Sequence, residues 1–518
     1  MRAGRIALLG LVVLVLGLVG VRLLRPLPSL DGRTRTTAVT ETDDTRLGRV
    51  VGPLAAAHPG LTGIHALANG RDAFAARMLL ARSAEVSLDV QYYIWRDDTT
   101  GTLLLEALRE AAERGVRVRL LLDDNPTSGL DGTLGALDAH PNIEVRLFNP
   151  FVIRSPRILG FLTDFGRLNR RMHNKSFTAD NRATIVGGRN IGDEYFDASE
   201  EGDLAFSDLD VMAIGAIVGE VSDDFDRYWT SGSSYPADRI LPPVRTDELD
   251  SLQARAAVVA GSPAANEYMR AVRDSPFVSE LLGGRLPLEW ARTRMVSDDP
   301  AKGLGLASSE ALLPRKLLGV IGEPATALDV VSPYLVPTTV GVEAFARLAE
   351  RGVRVRILAN SLESTDVAAV HSGYAKYRKP LLEAGITLYE MRLVSENESG
   401  GAGPFGSSAS SLHAKTFSVD GEQIFIGSFN FDPRSANLNT ELGFVIESTS
   451  LAERLTAMFD ARLPAIAYQV HLGPSGDVYW TEPSGDGEVT RHDTEPGTTW
   501  AQRTAVRILS WLPIERVL

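Results

Sequence analysis

Two separate parts of the chain alternate polar and apolar residues over short runs. The runs are 176–179 and 183–186 in the first part, and 416–419 and 423–426 in the second. Because strand side chains point alternately to opposite faces, this alternation predicts β-strands. Asp180-Asn181 and Asp420-Gly421 stand between the runs of each pair, and such dipeptides are typical of two-residue hairpin turns. The pattern therefore predicts two similar β-hairpins.

Each predicted hairpin belongs to a longer repeat, which consists of a β-rich run, a helical pattern and the string Arg-Gly-Val-Arg-Val-Arg. These parts stand at 87–94, 103–114 and 114–119 in the first half, and at 327–334, 342–351 and 351–356 in the second. Strand, helix and strand units of this kind form parallel or mixed sheets packed by helices. We therefore expect an α/β fold of two repeated domains, related by a pseudo-twofold axis, with a shared site at their interface.

The length of 518 residues also suggests more than one domain. We expect an N-terminal membrane segment at 1–30, a first domain at 60–245, a connection at 246–310, a second domain at 311–465 and a C-terminal extension at 466–518.

One pattern of chemically active residues occurs in both halves with identical spacing. The first copy is His173-Asn174-Lys175, Asp180 and 187–190, which reads Gly-Gly-Arg-Asn; the second is His413-Ala414-Lys415, Asp420 and 427–430, which reads Gly-Ser-Phe-Asn. A single His-x-Lys is usually a solvated strand edge. Two complete copies with matching gaps indicate one site built from both halves.

The residue types in this pattern suit a phosphodiester substrate. Histidine acts as a nucleophile or as a general acid and base near neutral pH, while lysine and amide or hydroxyl groups bind phosphate oxygens. We expect one histidine to attack phosphorus and the other to protonate the leaving oxygen, without a metal or cofactor. The predicted catalytic residues are His173, Lys175, Asp180, His413, Lys415 and Asp420. Asn190, Ser428 and Asn430 are predicted to support them.

The two copies resemble the HKD motif of the phospholipase D superfamily. The wider strings at 89–95, 186–196 and 427–435, together with Trp-Leu-Pro-Ile-Glu at 511–515, are similar to bacterial cardiolipin synthases of the phospholipase D type. The resemblance covers residues 50–518. It implies a covalent phosphohistidine intermediate and transfer of a phosphatidyl group from phosphatidylglycerol or phosphatidylethanolamine to phosphatidylglycerol. Water as the acceptor would instead make a phospholipase D that yields phosphatidic acid.

The resemblance leaves several roles open. We take His173 as the nucleophile and His413 as the acid and base, although the reverse is nearly as well supported. Glu441 and Asp208 are predicted to orient the histidines, with ordinary salt bridging as the alternative. Asp180 and Asp420 fit turn chemistry as well as a catalytic role. Gly188 stands where Ser428 stands in the second copy, so one hydroxyl is missing and the halves are unequal.

Residues 6–21 are uncharged and apolar, and arginines stand on both sides of them. The run is short for a full span but lengthens if Arg22 extends its charge to the interface. A cleaved signal peptide is the alternative, yet no small-x-small cleavage site follows. We expect a single uncleaved anchor in the cell membrane, with its orientation open because both flanks are basic.

Charge and composition favour a lipid substrate over nucleic acid. The formal net charge is −13, whereas a protein that grips nucleic acid non-specifically needs a basic surface. A membrane-tethered phosphodiesterase or nuclease remains the alternative from another class. The chain has no cysteine, which excludes disulfides, thiolate metal ligands and a lipid-modified cysteine.

Two further segments allow two interpretations each. The Gly/Ser-rich stretch 396–411 is a plain loop or a lid that leads into His413, and we favour the plain loop. The apolar run with scattered arginines at 506–512 lies on the bilayer or packs on the core, and packing is slightly favoured.

Overall fold

The computed structural model describes residue 17 and residues 20–197, 205–244, 248–282, 284–393, 410–483 and 488–518. The strands of the first half are β1 (Thr62–Leu67), β2 (Ser87–Tyr92), β3 (Arg117–Asp123), β4 (Ile143–Phe148), β5 (Ser176–Ala179), β6 (Ala183–Gly187), β7 (Ala205–Ser207), β8 (Asp210–Gly215) and β9 (Ser234–Pro236). Its helices are α1 (Arg46–Ala57), α2 (Gly70–Ser83), α3 (Thr99–Glu113), α4 (Asp131–Asp138), α5 (Arg157–Leu168) and α6 (Ile217–Trp229).

The connection contains α7 (Glu248–Gly261), α8 (Pro263–Arg273), α9 (Pro276–Leu282) and β10 (Glu289–Ser297). The strands that follow are β11 (Ala327–Val331), β12 (Arg354–Asn360), β13 (Thr387–Met391), β14 (Ser410–Leu412), β15 (Lys415–Val419), β16 (Gln423–Gly427), β17 (Leu442–Glu447), β18 (Ala467–Leu472), β19 (Val478–Pro483) and β20 (Val489–His492). The helices are α10 (Leu313–Ile321), α11 (Thr338–Glu350), α12 (Ala368–Ala375), α13 (Arg378–Glu383), α14 (Pro433–Asn437), α15 (Thr449–Ala461), α16 (Leu463–Ile466) and α17 (Trp500–Leu509).

The strand order confirms a duplicated α/β architecture. In the first half the neighbours run β9-β4-β3-β2-β5-β6-β8-β1, and β2, β3 and β4 are parallel. In the second half they run β17-β16-β15-β11-β12-β13-β18-β19-β20, and β11, β12 and β13 are parallel. The hairpins β5–β6 and β15–β16 therefore occupy the same place in each half, beside the first parallel strand.

Strands and side chains connect the two halves. The start of β10 pairs with β1 and the rest of β10 pairs with β17. Strand β7 pairs in parallel with β14 of the other half. An apolar cluster that includes Val186, Val211, Ile426 and Phe444 lies between them. These contacts hold the ends of the two hairpins against each other.

The repeated string Arg-Gly-Val-Arg-Val-Arg has a structural reason. Its last arginine lies opposite an aspartate on the neighbouring parallel strand: Arg119 opposite Asp89, and Arg356 opposite Asp329. The guanidinium Nε donates to the carboxylate at 2.6 Å in both halves. Removing one partner of such a buried pair would leave an uncompensated charge, so both members are needed together.

The predicted anchor, residues 6–21, lies almost entirely outside the described residues. Within the described part of the chain, the structure contains no helix that is both long and apolar enough to span a bilayer. Residues 396–409 of the Gly/Ser-rich stretch also lie outside the description. At the C-terminus, α17 packs on α12 and buries Val506, while Trp500 and Trp511 stay exposed.

Candidate functional site

Both hairpins turn through a pair of residues with positive φ, as two-residue type I′ turns require. The pairs are Asp180-Asn181 and Asp420-Gly421. Each aspartate carboxylate accepts N–H groups from the backbone that leads into the first parallel strand. For Asp180 the donors are Glu85, Val86 and Ser87.

The same arrangement recurs at Asp420, which accepts from Ala325, Thr326 and Ala327. These carboxylates stand at the far end of each hairpin from the histidines. The structure therefore does not bring Asp180 and Asp420 together with the histidines, and a direct catalytic role of these two residues stays a prediction. The turn interpretation accounts for the contacts of both residues.

The structure brings the two histidines together with carboxylates from the opposite halves. His173 Nδ1 lies 2.8 Å from Glu441 Oε2, and His413 Nδ1 hydrogen-bonds Asp208 Oδ2. Both carboxylates are fully buried, while the histidines keep 7% and 5% of their surface exposed. A carboxylate at Nδ1 fixes the tautomer that carries its proton there and its lone pair at Nε2. Each imidazole is thus oriented by the other half.

Backbone hydrogen bonds cross between the halves at the same places. The His173 N–H donates to the Thr440 carbonyl at 2.8 Å, one residue before Glu441. The His413 N–H donates to the Ser207 carbonyl at 2.8 Å, one residue before Asp208. The distance between each histidine and its carboxylate is therefore set by main chain as well as by side chains.

Lys175 and Lys415 are buried beside their histidines, and each ammonium donates to the carbonyl of the histidine two residues earlier. Burial lowers the pKa of Lys175 to about 7, with Glu441 opposing and Lys415 reinforcing the shift. Burial likewise lowers the pKa of Lys415 to about 8. A bound anion beside these two groups would raise both pKa values.

The same electrostatic setting keeps both imidazoles neutral. Burial holds the pKa of His173 well below its usual range, and both lysines add to the effect. Burial and Lys415 lower the pKa of His413 to about 4, although the Asp208 carboxylate opposes them. A neutral imidazole whose Nδ1 proton is engaged presents a basic Nε2, which is the form a nucleophile or general base requires.

The two carboxylates differ in charge although their positions correspond. Burial alone would raise the pKa of Asp208, but the charge of Lys415 and the hydrogen bond from His413 oppose burial, and that pKa lies well below its usual range. Burial raises the pKa of Glu441 to about 7, partly offset by Lys175. Asp208 is therefore ionised at neutral pH, whereas Glu441 is divided between its two forms.

The space at Gly188 explains the inequality noticed in the sequence. A Cβ at this position would stand 2.1 Å from Asp208 Oδ1, so the carboxylate occupies the room of a side chain. In the other half, the Ser428 hydroxyl donates to Glu441 Oε2 at 2.5 Å, and Leu442 N–H donates to that hydroxyl. Position 188 therefore has to be glycine, because any larger residue would collide with the Asp208 carboxylate.

The two predicted asparagines differ in their contacts. Asn190 Nδ2 donates to the Tyr195 hydroxyl at 3.0 Å, and its Oδ1 accepts the Ile94 N–H at 3.2 Å. Asn430 is buried, and its Oδ1 has no hydrogen-bond partner within the part of the chain that the structure describes. A buried amide oxygen without a partner is costly. A substrate hydroxyl or a reoriented amide at Asn430 would remove that cost.

Sequence reasoning did not predict the two tyrosine rings that pack against the histidines. The rings of Tyr93 and His173 meet edge to face at 4.9 Å, and those of Tyr195 and His413 do so at 5.2 Å. Both tyrosines stand in strings that carry the family resemblance, but their spacing gave no signal of a contact with the histidines. Among the described residues, no cluster of three or more His, Asp or Glu side chains is arranged to hold a metal ion.

The chain is similar to known proteins over most of its length. The family described as "Cardiolipin synthase, PLD-like domain" matches residues 79–229 and 317–463. The chain is 51% identical to cardiolipin synthase C of Escherichia coli (strain K12) over 475 residues, which are 91% of this chain and 100% of that protein. It is 27% identical to a cardiolipin synthase of Geobacillus kaustophilus, over 76% of this chain and 64% of the relative. Among solved structures, phosphatidylserine synthase of Haemophilus influenzae Rd KW20 superposes with a TM-score of 0.56 at 15% identity, over 92% of this chain and 100% of that one.

Proposed function

This chain belongs to the family of cardiolipin synthases with phospholipase D-like domains, and we propose that it transfers a phosphatidyl group between alcohols through a phosphohistidine. In the reaction that we favour, phosphatidylglycerol or phosphatidylethanolamine donates the group, phosphatidylglycerol accepts it, and cardiolipin is released. The observation that carries this proposal is the crossed pairing of His173 with Glu441 and of His413 with Asp208, beside two buried lysines.

In the first step, His173 Nε2 attacks the phosphorus of the donor lipid. A nitrogen–phosphorus bond forms, the bond from phosphorus to the head-group oxygen breaks, and His413 gives a proton to that oxygen. In the second step, His413 takes the proton of the acceptor hydroxyl, whose oxygen attacks phosphorus. The nitrogen–phosphorus bond then breaks and His173 is restored.

The charges of the site support this division of roles. The histidine that holds a proton becomes a cation and gains most from an ionised neighbour. Asp208 is that neighbour for His413, whereas Glu441 beside His173 has a pKa of about 7. A bound phosphodiester adds negative charge and raises the pKa of His413 from about 4 towards protonation.

The remaining polar groups would hold the phosphate oxygens. Lys175 and Lys415 supply positive charge, and an anion between them raises both pKa values from about 7 and about 8. Asn190 and Asn430 would supply amide groups from the ends of β6 and β16. Such groups stabilise the charge on the equatorial oxygens during transfer.

A membrane location follows from the apolar N-terminal run together with one helix of the described structure. Arg22, which directly follows the run, lies 3.4 Å from Asp164 of α5. The same helix exposes more than half of Ile158, Leu162 and Phe165. The backbone of α5 is kinked at Asp164, so Ile158 and Leu162 share one helical turn before the kink and Phe165 follows it. Apolar residues exposed in this way are suited to lie in a lipid interface. We place α5 against the bilayer in which residues 6–21 are anchored.

Lipid mass spectrometry of the purified full chain tests the proposal. With vesicles of phosphatidylglycerol, with and without phosphatidylethanolamine, we expect cardiolipin from the wild type. His173→Ala and His413→Ala should form none, while the control His492→Ala on the distant β20 should keep full activity. Full activity in either of the first two variants would sink the mechanism, and phosphatidic acid as the sole product would assign hydrolysis instead of transfer.

A further inference from the structure

Helices α10 and α11 line an open apolar cleft of about 580 Å³ in the second half. Its floor is formed by β11 and β15, and its walls are formed by the facing sides of the two helices. The lining residues are almost all apolar, such as Leu317 and Ile321 of α10, Val340 and Leu348 of α11, and Leu328 and Phe417 of the floor. This volume lies within the range of sites that bind small ligands.

The first half has no such opening at the equivalent place in its described residues. There α2 and α3 pack against each other, and α7 covers α3. Leu103 and Val340 are equivalent positions, since each stands 11 residues before the first arginine of its Arg-Gly-Val-Arg-Val-Arg string, at 114 and 351. Leu103 is 8% exposed and Val340 is 73% exposed. The apolar face of α3 is thus covered in the first half, whereas the equivalent apolar face of α11 in the second half is exposed.

The cleft is lined by neighbours of the second motif in the chain, although Asn430, His413 and Lys415 do not line it themselves. Phe429 and Phe431, which flank Asn430 in the chain, line its inner end together with Pro433. Their rings meet edge to face at 5.5 Å, and Phe431 also contacts Phe417 of the floor. An apolar occupant would therefore run along the floor from the site that we assign to the phosphate and out between α10 and α11.

We propose that this cleft binds an acyl chain of the phospholipid whose phosphate lies between the two motifs. The inference rests on the proposed function, because that function supplies a substrate in which phosphate and acyl chain are joined through glycerol. The shape fits, since the cleft reaches Phe429 and Phe431, the chain neighbours of Asn430, and is open to solvent. The lining fits too, because a long apolar occupant needs no hydrogen-bonding partners. Among the described residues only the second half leaves this helix face open, so one phosphatidyl group is held by its chain through both steps.

A variant that fills the cleft tests this proposal. Ala344 of α11 lines the cleft, whereas its neighbour Glu343 faces solvent. We expect Ala344→Trp to lower kcat/KM for long-chain phosphatidylglycerol by roughly ten-fold or more, which is the effect of losing two or three buried methylenes. Turnover of dihexanoyl phosphatidylglycerol, whose chains are too short to fill the cleft, should stay within about two-fold of the wild type. The matched control Glu343→Trp should change neither rate.

The outcomes separate this inference from the function on which it rests. If the wild type makes cardiolipin but Ala344→Trp keeps its rate on long chains, or loses both substrates equally, the acyl site is wrong and the function stands. If the wild type turns over neither lipid, the function itself fails. A second measurement does not depend on that variant: phosphatidylglycerol with a photoreactive acyl terminus should crosslink the wild type on α10 or α11. Crosslinks confined to other elements, or a protein partner that fills the cleft and blocks labelling, would overturn the proposal.

Discussion

Replacing the two buried carboxylates one at a time should produce losses that differ in size and in pH dependence. Asp208→Asn and Glu441→Gln each keep the shape and remove the negative charge beside one histidine. Asp208 is ionised throughout the neutral range, because the charge of Lys415 and the hydrogen bond from His413 oppose the effect of burial and its pKa lies well below that range. Glu441, whose pKa burial raises to about 7, is largely protonated at about pH 6 and largely ionised at about pH 8.

The magnitudes follow from the hydrogen bonds that are lost. A hydrogen bond to a charged group contributes about 1.5–3 kcal/mol, and about 1.4 kcal/mol corresponds to a factor of ten in rate. Asp208→Asn should therefore slow transfer by roughly ten- to hundred-fold at every pH from about 6 to about 8. Glutamine resembles a protonated glutamic acid, so Glu441→Gln should lose less than about three-fold at pH 6. Its deficit should grow towards about ten-fold as pH rises through 7, because the wild type then gains a charge that glutamine lacks.

The assay is the initial rate of cardiolipin formation in phosphatidylglycerol vesicles at about pH 6, 7 and 8. Thermal unfolding of each variant controls for loss of folded protein. Equal deficits for both variants at every pH would refute the reasoning, since it depends on unequal charges of Asp208 and Glu441. A deficit of Glu441→Gln that shrinks as the pH rises would refute the sign.

Three further predictions concern other parts of the molecule. Gly188→Ser should abolish transfer and not restore symmetry, because its Cβ would displace the Asp208 carboxylate; a rate near that of the wild type in the vesicle assay would contradict this. Asp180→Ala should lower the free energy of unfolding by about 1–3 kcal/mol while folded protein keeps its kcat, since three backbone N–H groups, of which that of Ser87 is buried, lose their acceptor; loss of kcat without loss of stability in denaturant titration would favour a catalytic role. Because the chain has no cysteine, a fluorophore on Leu162→Cys can be quenched by brominated lipid chains, and we expect quenching there but not on the more exposed control Val258→Cys; equal quenching of both would remove α5 from the bilayer.

Local patterns in the sequence predicted the fold because hairpins and strand-helix-strand units depend on neighbouring residues. Alternation and turn dipeptides located both hairpins, and the repeated arginine string located the parallel strands. The sequence also pointed to Asp208 and Glu441 as partners of the histidines. It could not show which histidine each one serves, because the pairs join residues 268 and 205 positions apart.

What sequence reasoning did not resolve has physical causes too. Asp180 and Asp420 share the repeat with His173 and His413, so spacing alone could not separate residues that stabilise the hairpin from residues that face the substrate. At Gly188 the sequence showed a missing hydroxyl, whereas the structure shows a carboxylate that leaves no room for one. The cleft beside α11 was hidden as well, since its opening depends on which elements cover a helix.

A duplicated site faces the difficulty that its two histidines must do different work. One has to hold the phosphorus and the other has to move a proton, yet an exact twofold axis would make them identical. Here the two histidines differ because the carboxylates that contact them, and the residues beside those carboxylates, differ between the two halves. The longer side chain of Glu441 accepts a hydrogen bond from Ser428, and its pKa is about 7. The shorter Asp208 occupies the space where Gly188 has no side chain, and it stays ionised. Because each carboxylate belongs to the half opposite its histidine, neither half alone contains a complete pair, and exchanging only one of the four residues would place a charge beside the wrong imidazole.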